Sequence, residues 1–309
     1  MLRLPKALPL TISRKSTTYP CPPGLLPTPH ALWPFLTALL ITLLILTKPL
    51  SVLAAEAPAQ RIVVLYAAFT EILEALGQEK RIVARTKSDT NACVQTLPVI
   101  GTHMRPNIES IVALKPDLVL QLAGRSEASL QSEALRKQGL RVVELELDSF
   151  ADLMLAAKRL GELTDAKARA QKLSEIWQRK LDGIRSRHSG TPLRVFFEVR
   201  SPNLLAAGQK NIVSEIIAIA GGVNVIVTKK KLVRLSEEEL LALDPDVYLM
   251  QQGPMNPSPQ PLAARKNLAS LRAAHNGQSL VVPEEDFSRP GPKAIEACDR
   301  LERWLHAAH

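Results

Sequence analysis

The sequence predicts an α/β protein: two similar lobes with central parallel sheets flanked by helices, bridged by a single long helix. Three observations carry this. Short apolar runs alternate with helical periodicity, the pattern of parallel sheets covered by helices. The alternating pattern occurs twice, in the same order. Between the two copies lies a stretch with helical spacing and no strand-like run.

The repeat has three matched pieces. TEILEALG (70–77) matches SEIIAIAGG (214–222), and each follows an apolar run, RIVVLY (61–66) and LRVFFEV (193–199). Each copy reads as a strand, a loop, and a helix with Thr70 or Ser214 as N-cap and a Gly near its end. ESIVALKPDLVL (109–120) matches EELLALDPDVYL (238–249). Here an amphipathic helix ends near a Pro that cannot continue it, and an apolar strand follows. Glu109 falls opposite Glu238, Pro116 opposite Pro245, and Asp117 opposite Asp246. A weaker match pairs KQGLRVVEL (137–145) with HNGQSLVVPE (275–284). The N-terminal lobe is therefore predicted over 60–148 and the C-terminal lobe over 192–309, closed by an amphipathic helix at roughly 292–306. In the bridge, 149–188, Leu153, Leu160, Leu163, Leu173, Ile176, Trp177, Leu181 and Ile184 recur at helical spacing. Gly161 and Thr164-Asp165 suggest a kink and a fresh N-cap. So stiff a connector predicts limited hinge motion.

The 309 residues are 46% hydrophobic and 22% charged, with a net charge of +9. The first 30 residues carry Arg3, Lys6, Arg14 and Lys15 and no acid. An uncharged apolar run, 31–47, follows, then the small-residue stretch SVLAAEA (51–57). Basic, apolar, small is the order of a cleavable secretory signal, here residues 1–55. A membrane anchor is the alternative, since the run is about one membrane thickness at most. Removing residues 1–55 leaves 34 basic against 30 acidic residues, a net +4, which argues against a nucleic-acid partner. Cys93 and Cys298 remain, far apart, and read as free or buried thiols.

In parallel α/β sheets the ligand crevice lies beyond the carboxyl ends of the strands, and two lobes with facing loops form an interlobe cleft. The loops there supply Tyr66, then His103, Met104 and Arg105, then Arg125. The second lobe supplies Arg200, the lysine run 229–231, QQGPMNPSPQP (251–261) and Arg289. Arg200 and Arg289 stand at strand ends and suit planar recognition of carboxylate or phosphate. The lysines read as solvated charges. Five His remain outside the leader, and His103 alone falls in a cleft loop. It reads as a ligand contact, with coordination of a metal carried by the ligand a further possibility and a surface histidine the plain alternative. The sequence contains no G-x-S-x-G, H-E-x-x-H, phosphate-loop lysine motif or C-x-x-C. The chain is read as a carrier, not an enzyme, and without a resident cofactor.

These residues resemble the periplasmic substrate-binding proteins of the iron-complex and cobalamin ABC importers. The resemblance covers nearly all of 60–308. It rests on RIVVLYAAFTEILEALG, GTHMRPNIESIVALKPDLVL, AAGQKNIVSEIIAIAGG, LSEEELLALDPDVYL and SRPGPKAIEA. It implies a monomeric periplasmic carrier that takes a ferric siderophore or a corrinoid from the cleft to a membrane permease. Haem is the alternative within the class. A bare zinc or manganese binder would need a His and carboxylate cluster, and a chelatase-like enzyme on a similar fold is the alternative outside it. In cobalamin and siderophore members the position of His103 touches the ligand. In haem-binding members a ligating Tyr matches Thr102, and in a cobalamin binder a stacking Trp stands where this chain has His103. The resemblance also makes Glu109 and Glu238 the residues that dock onto arginines of the permease subunits.

Overall fold

The structure, a computed structural model, describes residues 57–188 and 190–307. The predicted signal segment therefore lies outside the described residues. The first lobe runs β1 (Ile62–Val64), α1 (Ala67–Ala75), β2 (Ile82–Ala84), α2 (Ile108–Ala113), β3 (Leu118–Leu122), α3 (Ser126–Lys137) and β4 (Val142–Leu145). Its four strands are all parallel, in the order β2-β1-β3-β4. β3 is buried along its whole length, as a central parallel strand with both faces covered must be.

The bridge departs from a single helix. α4 (Phe150–Leu163) and α5 (Lys167–Arg185) are separated by a break at Thr164–Ala166. Asp165 turns left-handed (φ 57°) and the Thr164 hydroxyl caps the end of α4 by donating to the Leu160 carbonyl. No side chain caps the start of α5, so the predicted fresh N-cap is absent. The helices fold back on one another. Gly161 permits this, because a Cβ there would lie 2.5 Å from that of Ala170. α4 starts against the second lobe, where Phe150 N–H donates to Glu215, and ends against the first, where the Ala59 N–H donates to Leu163 O. α5 starts against the first lobe, with Arg169 donating to Ala75 O, and returns to the second, where Lys180 pairs with Glu296. Of the two helices, α5 alone carries the chain forward from lobe to lobe.

The second lobe comprises β5 (Leu193–Arg200), β6 (Leu205–Ala207), α6 (Ile212–Ile219), β7 (Gly222–Asn224), β8 (Leu232–Arg234), α7 (Glu237–Leu243), β9 (Val247–Gln252), α8 (Arg272–His275), β10 (Ser279–Pro283), α9 (Glu284–Phe287) and α10 (Pro292–Ala307). Its sheet is mixed rather than parallel throughout. β7, β9 and β10 pair in parallel fashion, but β5-β6 and β6-β8 are antiparallel. The chain doubles back at Ser201–Asn203 and inserts β6 where the first lobe has no counterpart.

The repeat has a physical basis. Lys115 and Asp244, each before the Pro of the motif, take a left-handed conformation that ends α2 and α7. The next Asp then secures the neighbouring strand: Asp117 accepts from Gln60 and Arg61 N–H, and Asp246 from Arg194 N–H. Arg61 and Arg194 reach back to the orphan carbonyls Leu114 and Leu243 at the helix ends. Thr70 and Ser214, however, are not N-caps. Both lie inside their helices, capped at Tyr66 and Asn211. Their hydroxyls tie down loops instead: Thr70 donates to Asp89, and Ser214 donates to Gly208 O and accepts from Asn224.

One apolar core runs through both lobes and the bridge. It holds Phe69 and Leu120 from the first lobe, Leu160 and Leu181 from the bridge, and Phe197 and Leu301 from the second. Cys298 is buried in it, Cys93 is half-buried at its edge, and the two are unpaired.

Candidate functional site

The loops at the carboxyl ends of β1, β2 and β3 build the first wall of the candidate cleft. Tyr66 is the N-cap of α1, half-buried, with its ring edge-on to Phe69. His103 sits on a tight turn closed by the Gly101–Pro106 bridge, and Thr102 stabilises it by accepting from Arg105 N–H. Gly101 has a φ of 95°, and a Cβ there would stand 2.5 Å from Arg105 O, so the turn requires glycine. From below, the buried Gln121 of β3 donates to the His103 carbonyl at 3.1 Å. The His103 ring meets Tyr66 edge-on at 6.1 Å. Arg125, N-cap of α3 after the left-handed Gly124, brings Nη1 to 3.4 Å from His103 Nε2.

A guanidinium cannot accept a hydrogen bond, so Nε2 is the acceptor in that contact and the imidazole proton lies on Nδ1. Partial burial lowers the His103 pKa, and Arg125 and Arg289 lower it further. The ring is accordingly neutral at neutral pH, with an Nε2 lone pair directed into the cleft cluster.

The second wall contributes Arg289, held by Glu284 at 2.7 Å. Its Nη1 crosses to the first lobe and donates to Ser88 O at 3.3 Å. Glu284 packs onto Gly253, where an added Cβ would stand 2.4 Å from the Glu284 Cβ, so glycine near the start of the 251–261 loop admits the Glu284 side chain. Arg125 and Arg289, one from each lobe, both act on Tyr66. Burial still dominates there and pushes its hydroxyl up to about 12. Tyr66 is thus a neutral phenol near neutral pH. Two further contacts join the walls: Thr90 donates to Glu285 at 2.8 Å, and Lys231 pairs with Asp148.

Tyr66, His103, Arg125 and Arg289 thus come together. Met104 is half-buried on the His103 turn. Arg105 is exposed and Arg200 half-buried, and with the described residues neither side chain forms a hydrogen bond or ion pair. Arg200 ends β5 beside the end of β9, where the chain turns into the β6 hairpin. Glu109 and Glu238 are exposed at the second residue of α2 and α7, behind the N-caps Asn107 and Ser236. The structure therefore places them at equivalent points. Hydrogen bonds from backbone and from Ser236 lower the Glu238 pKa.

Sequence reading missed the residues that position the site. Gln121 and Gln251, both buried near the ends of β3 and β9, hold cleft loops, Gln251 by accepting from Ser288. Glu198 of β5 is fully buried and forks with Arg265, which donates twice to Gln260 O and so fixes the 251–261 loop. Tyr248 and Asn256 satisfy the remaining capacity of Glu198. A polar residue in an otherwise apolar strand was the available signal for Gln121 and Glu198. Among the described residues, no group of three or more His, Cys, Asp or Glu is placed to hold a metal ion.

Residues 62–285 match the profile of the periplasmic binding proteins. The chain belongs to that family. It is 26% identical over 262 residues to the vitamin B12-binding protein of Vibrio cholerae serotype O1, covering 84% of this chain and 93% of that protein. It is 25% identical over 255 residues to an ABC transporter substrate-binding lipoprotein of Bacillus subtilis, YvrC, covering 80% of each. Among solved structures it superposes on the periplasmic haem-binding protein BhuT in complex with two haems (TM-score 0.72, 23% identity, 80% of this chain and 98% of that chain). It also superposes on the periplasmic vitamin B12-binding protein BtuF of Vibrio cholerae (TM-score 0.69, 24% identity, 81% and 98%). This periplasmic binding protein is thus built on the two-lobed fold of those neighbours. No described helix is long and apolar enough to cross a membrane.

Proposed function

We propose that this periplasmic binding protein captures a metal chelate in the interlobe cleft and delivers it to an ABC importer. A ferric siderophore or a corrinoid is the leading ligand. The observation that carries the reading is the convergence of Tyr66, His103 and Arg125 from one lobe with Arg289 from the other. Arg125 and Arg289 suit anionic groups on opposite sides of one ligand. His103 offers a neutral donor to the ligand or to its metal once Arg125 turns to the ligand. The metal arrives with the ligand, so the protein needs no resident cofactor and leaves the chelate unchanged.

Haem is the second reading. Two arginines on facing walls match a ligand carrying carboxylates, although Thr102 offers no phenol. Mass spectrometry and absorption spectra of the protein purified from its native periplasm test these readings. A corrin, siderophore or porphyrin is the expected companion, and a bare metal ion or a sugar would overturn the proposal. Export rests on the basic, apolar and small-residue order of 1–57, and the mature chain should begin near residues 55–58. A membrane-bound chain with intact Met1 would instead mean an anchor. Glu109 and Glu238 are the docking pair for the permease, and the carrier acts as a monomer.

A further inference from the structure

Glu71 and Glu215 occupy matching positions in the two repeat helices. Each reaches the start of a helix that crosses between lobes. Glu215, in α6 of the second lobe, accepts from Phe150 N–H at the start of α4, just after β4 of the first lobe. Glu71, in α1 of the first lobe, faces Lys293 N–H at 3.5 Å, at the start of α10, just after β10 and α9 of the second. The two lobes thus cap each other's outgoing helices.

The two carboxylates differ in surroundings. Glu215 is half-buried, whereas Glu71 is 5% exposed and its Oε1 has no hydrogen-bond partner. Gly291 presses on it so closely that a Cβ would lie 2.6 Å from Oε2. The Lys293 ammonium is 4.0 Å from Oε1 and is shared with Glu285 at 3.7 Å. Arg289 and Asp286 complete the charges that act on it from the second lobe. The segment bearing these groups also carries Arg289 into the cleft and across to Ser88 O.

We propose that Glu71 is a positioning residue: it seats the Arg289–Lys293 turn against the first lobe, and its protonation sets how firmly that clasp holds Arg289 in the cleft. The consequence for ligand rests on the cleft reading above, whereas the clasp itself does not. Burial, partly offset by Lys293, raises the Glu71 carboxyl from an ordinary value of 4.5 to about 7. An acid whose pKa is higher when clasped than when solvated binds its proton more tightly in the clasp. The clasp is therefore firmest below the ordinary carboxylate value and loosens as pH rises through about 7.

The test begins with the unliganded protein. Hydrogen exchange over residues 284–293, corrected for intrinsic rates, should show protection falling severalfold between about pH 6 and about pH 8. Glu71→Gln, which mimics the protonated acid, should hold equal protection at both. Lys293→Met removes the charge that holds the Glu71 carboxyl down, so the pH range over which protection falls should extend further upward and the fall near about pH 8 should be steeper than in wild type. Glu215→Gln alters the matching, half-buried cap at Phe150 and should leave the 284–293 profile as pH-dependent as in wild type; a flat profile in Glu215→Gln would overturn the assignment to Glu71. Parallel profiles in wild type and Glu71→Gln, or no pH response in wild type and Lys293→Met, would overturn the proposal. With haemin as probe, wild-type affinity should drop about threefold to tenfold over the same range, and Glu71→Gln should be flat. Exchange that responds while haemin affinity does not would refute the link to the cleft and leave the clasp standing.

Discussion

Replacing Gln121 with Leu tests how the His103 turn is held. Gln121 is fully buried, so the change preserves volume while removing both ends of the amide. Its Nε2 donates to His103 O at 3.1 Å and its Oε1 accepts from Leu122 N–H at 2.9 Å. Each hydrogen bond contributes about 1 kcal/mol net, and a buried carbonyl left without a donor costs about 1–3 kcal/mol. The more apolar leucine returns part of this. A net loss of about 2 kcal/mol lowers Tm by roughly 4–8 °C in a domain of this size. The functional effect is separable. A His103 turn released from β3 should exchange its amides faster over 101–106, and ligand affinity should fall about tenfold, or ~1.4 kcal/mol. Calorimetry, hydrogen exchange and ligand titration measure the three effects. An unchanged Tm with unchanged exchange at 101–106 would refute the account of Gln121 as the support of the turn. A lower Tm with unaltered affinity would remove His103 from the ligand site.

Three further outcomes are expected. His103→Ala should weaken ligand binding while leaving Tm nearly unchanged, because the ring is only part-buried and its one polar contact among the described residues is to Arg125 at 3.4 Å; equal affinity would make it a surface histidine. Reversing Glu109 and Glu238 to Arg together should preserve fold and ligand affinity and abolish ligand-dependent uptake, since both are exposed and exposed charges govern recognition more than folding; undiminished uptake would refute the docking role. Small-angle scattering should change only slightly on ligand addition, because the core is continuous from Phe69 through Leu181 to Leu301; a large compaction would mean that the bridge hinges.

The sequence by itself determined the α/β class and the twofold repeat, and it named the strand-end loops that carry Tyr66, His103 and Arg125. These follow from local, periodic signals: apolar alternation, a Pro-Asp pair after each repeat helix, and glycines such as Gly139 and Gly277 at helix ends with positive φ. Even the equivalence of Glu109 and Glu238 was legible, because a helix start is set within a few residues. The antiparallel β6 insertion, the fold-back of α4 on α5, and the interior positions of Thr70 and Ser214 were not. Each depends on a partner that the local pattern does not name: β8, 25–29 residues beyond β6 in register (Leu205↔Arg234, Ala207↔Leu232), a Gly161–Ala170 contact, and loops that need a hydroxyl. The same limit applied to the site. Arg200 and Arg289 read alike as strand-end arginines, and only tertiary structure brought Arg289 to Glu284 and Ser88 while Arg200 makes no side-chain hydrogen bond or ion pair with the described residues. Tertiary structure alone also placed Glu71 beneath Gly291 and Lys293, some 220 residues away, because the burial that sets a carboxyl's proton affinity comes from whatever packs over it, and no local sequence pattern encodes that.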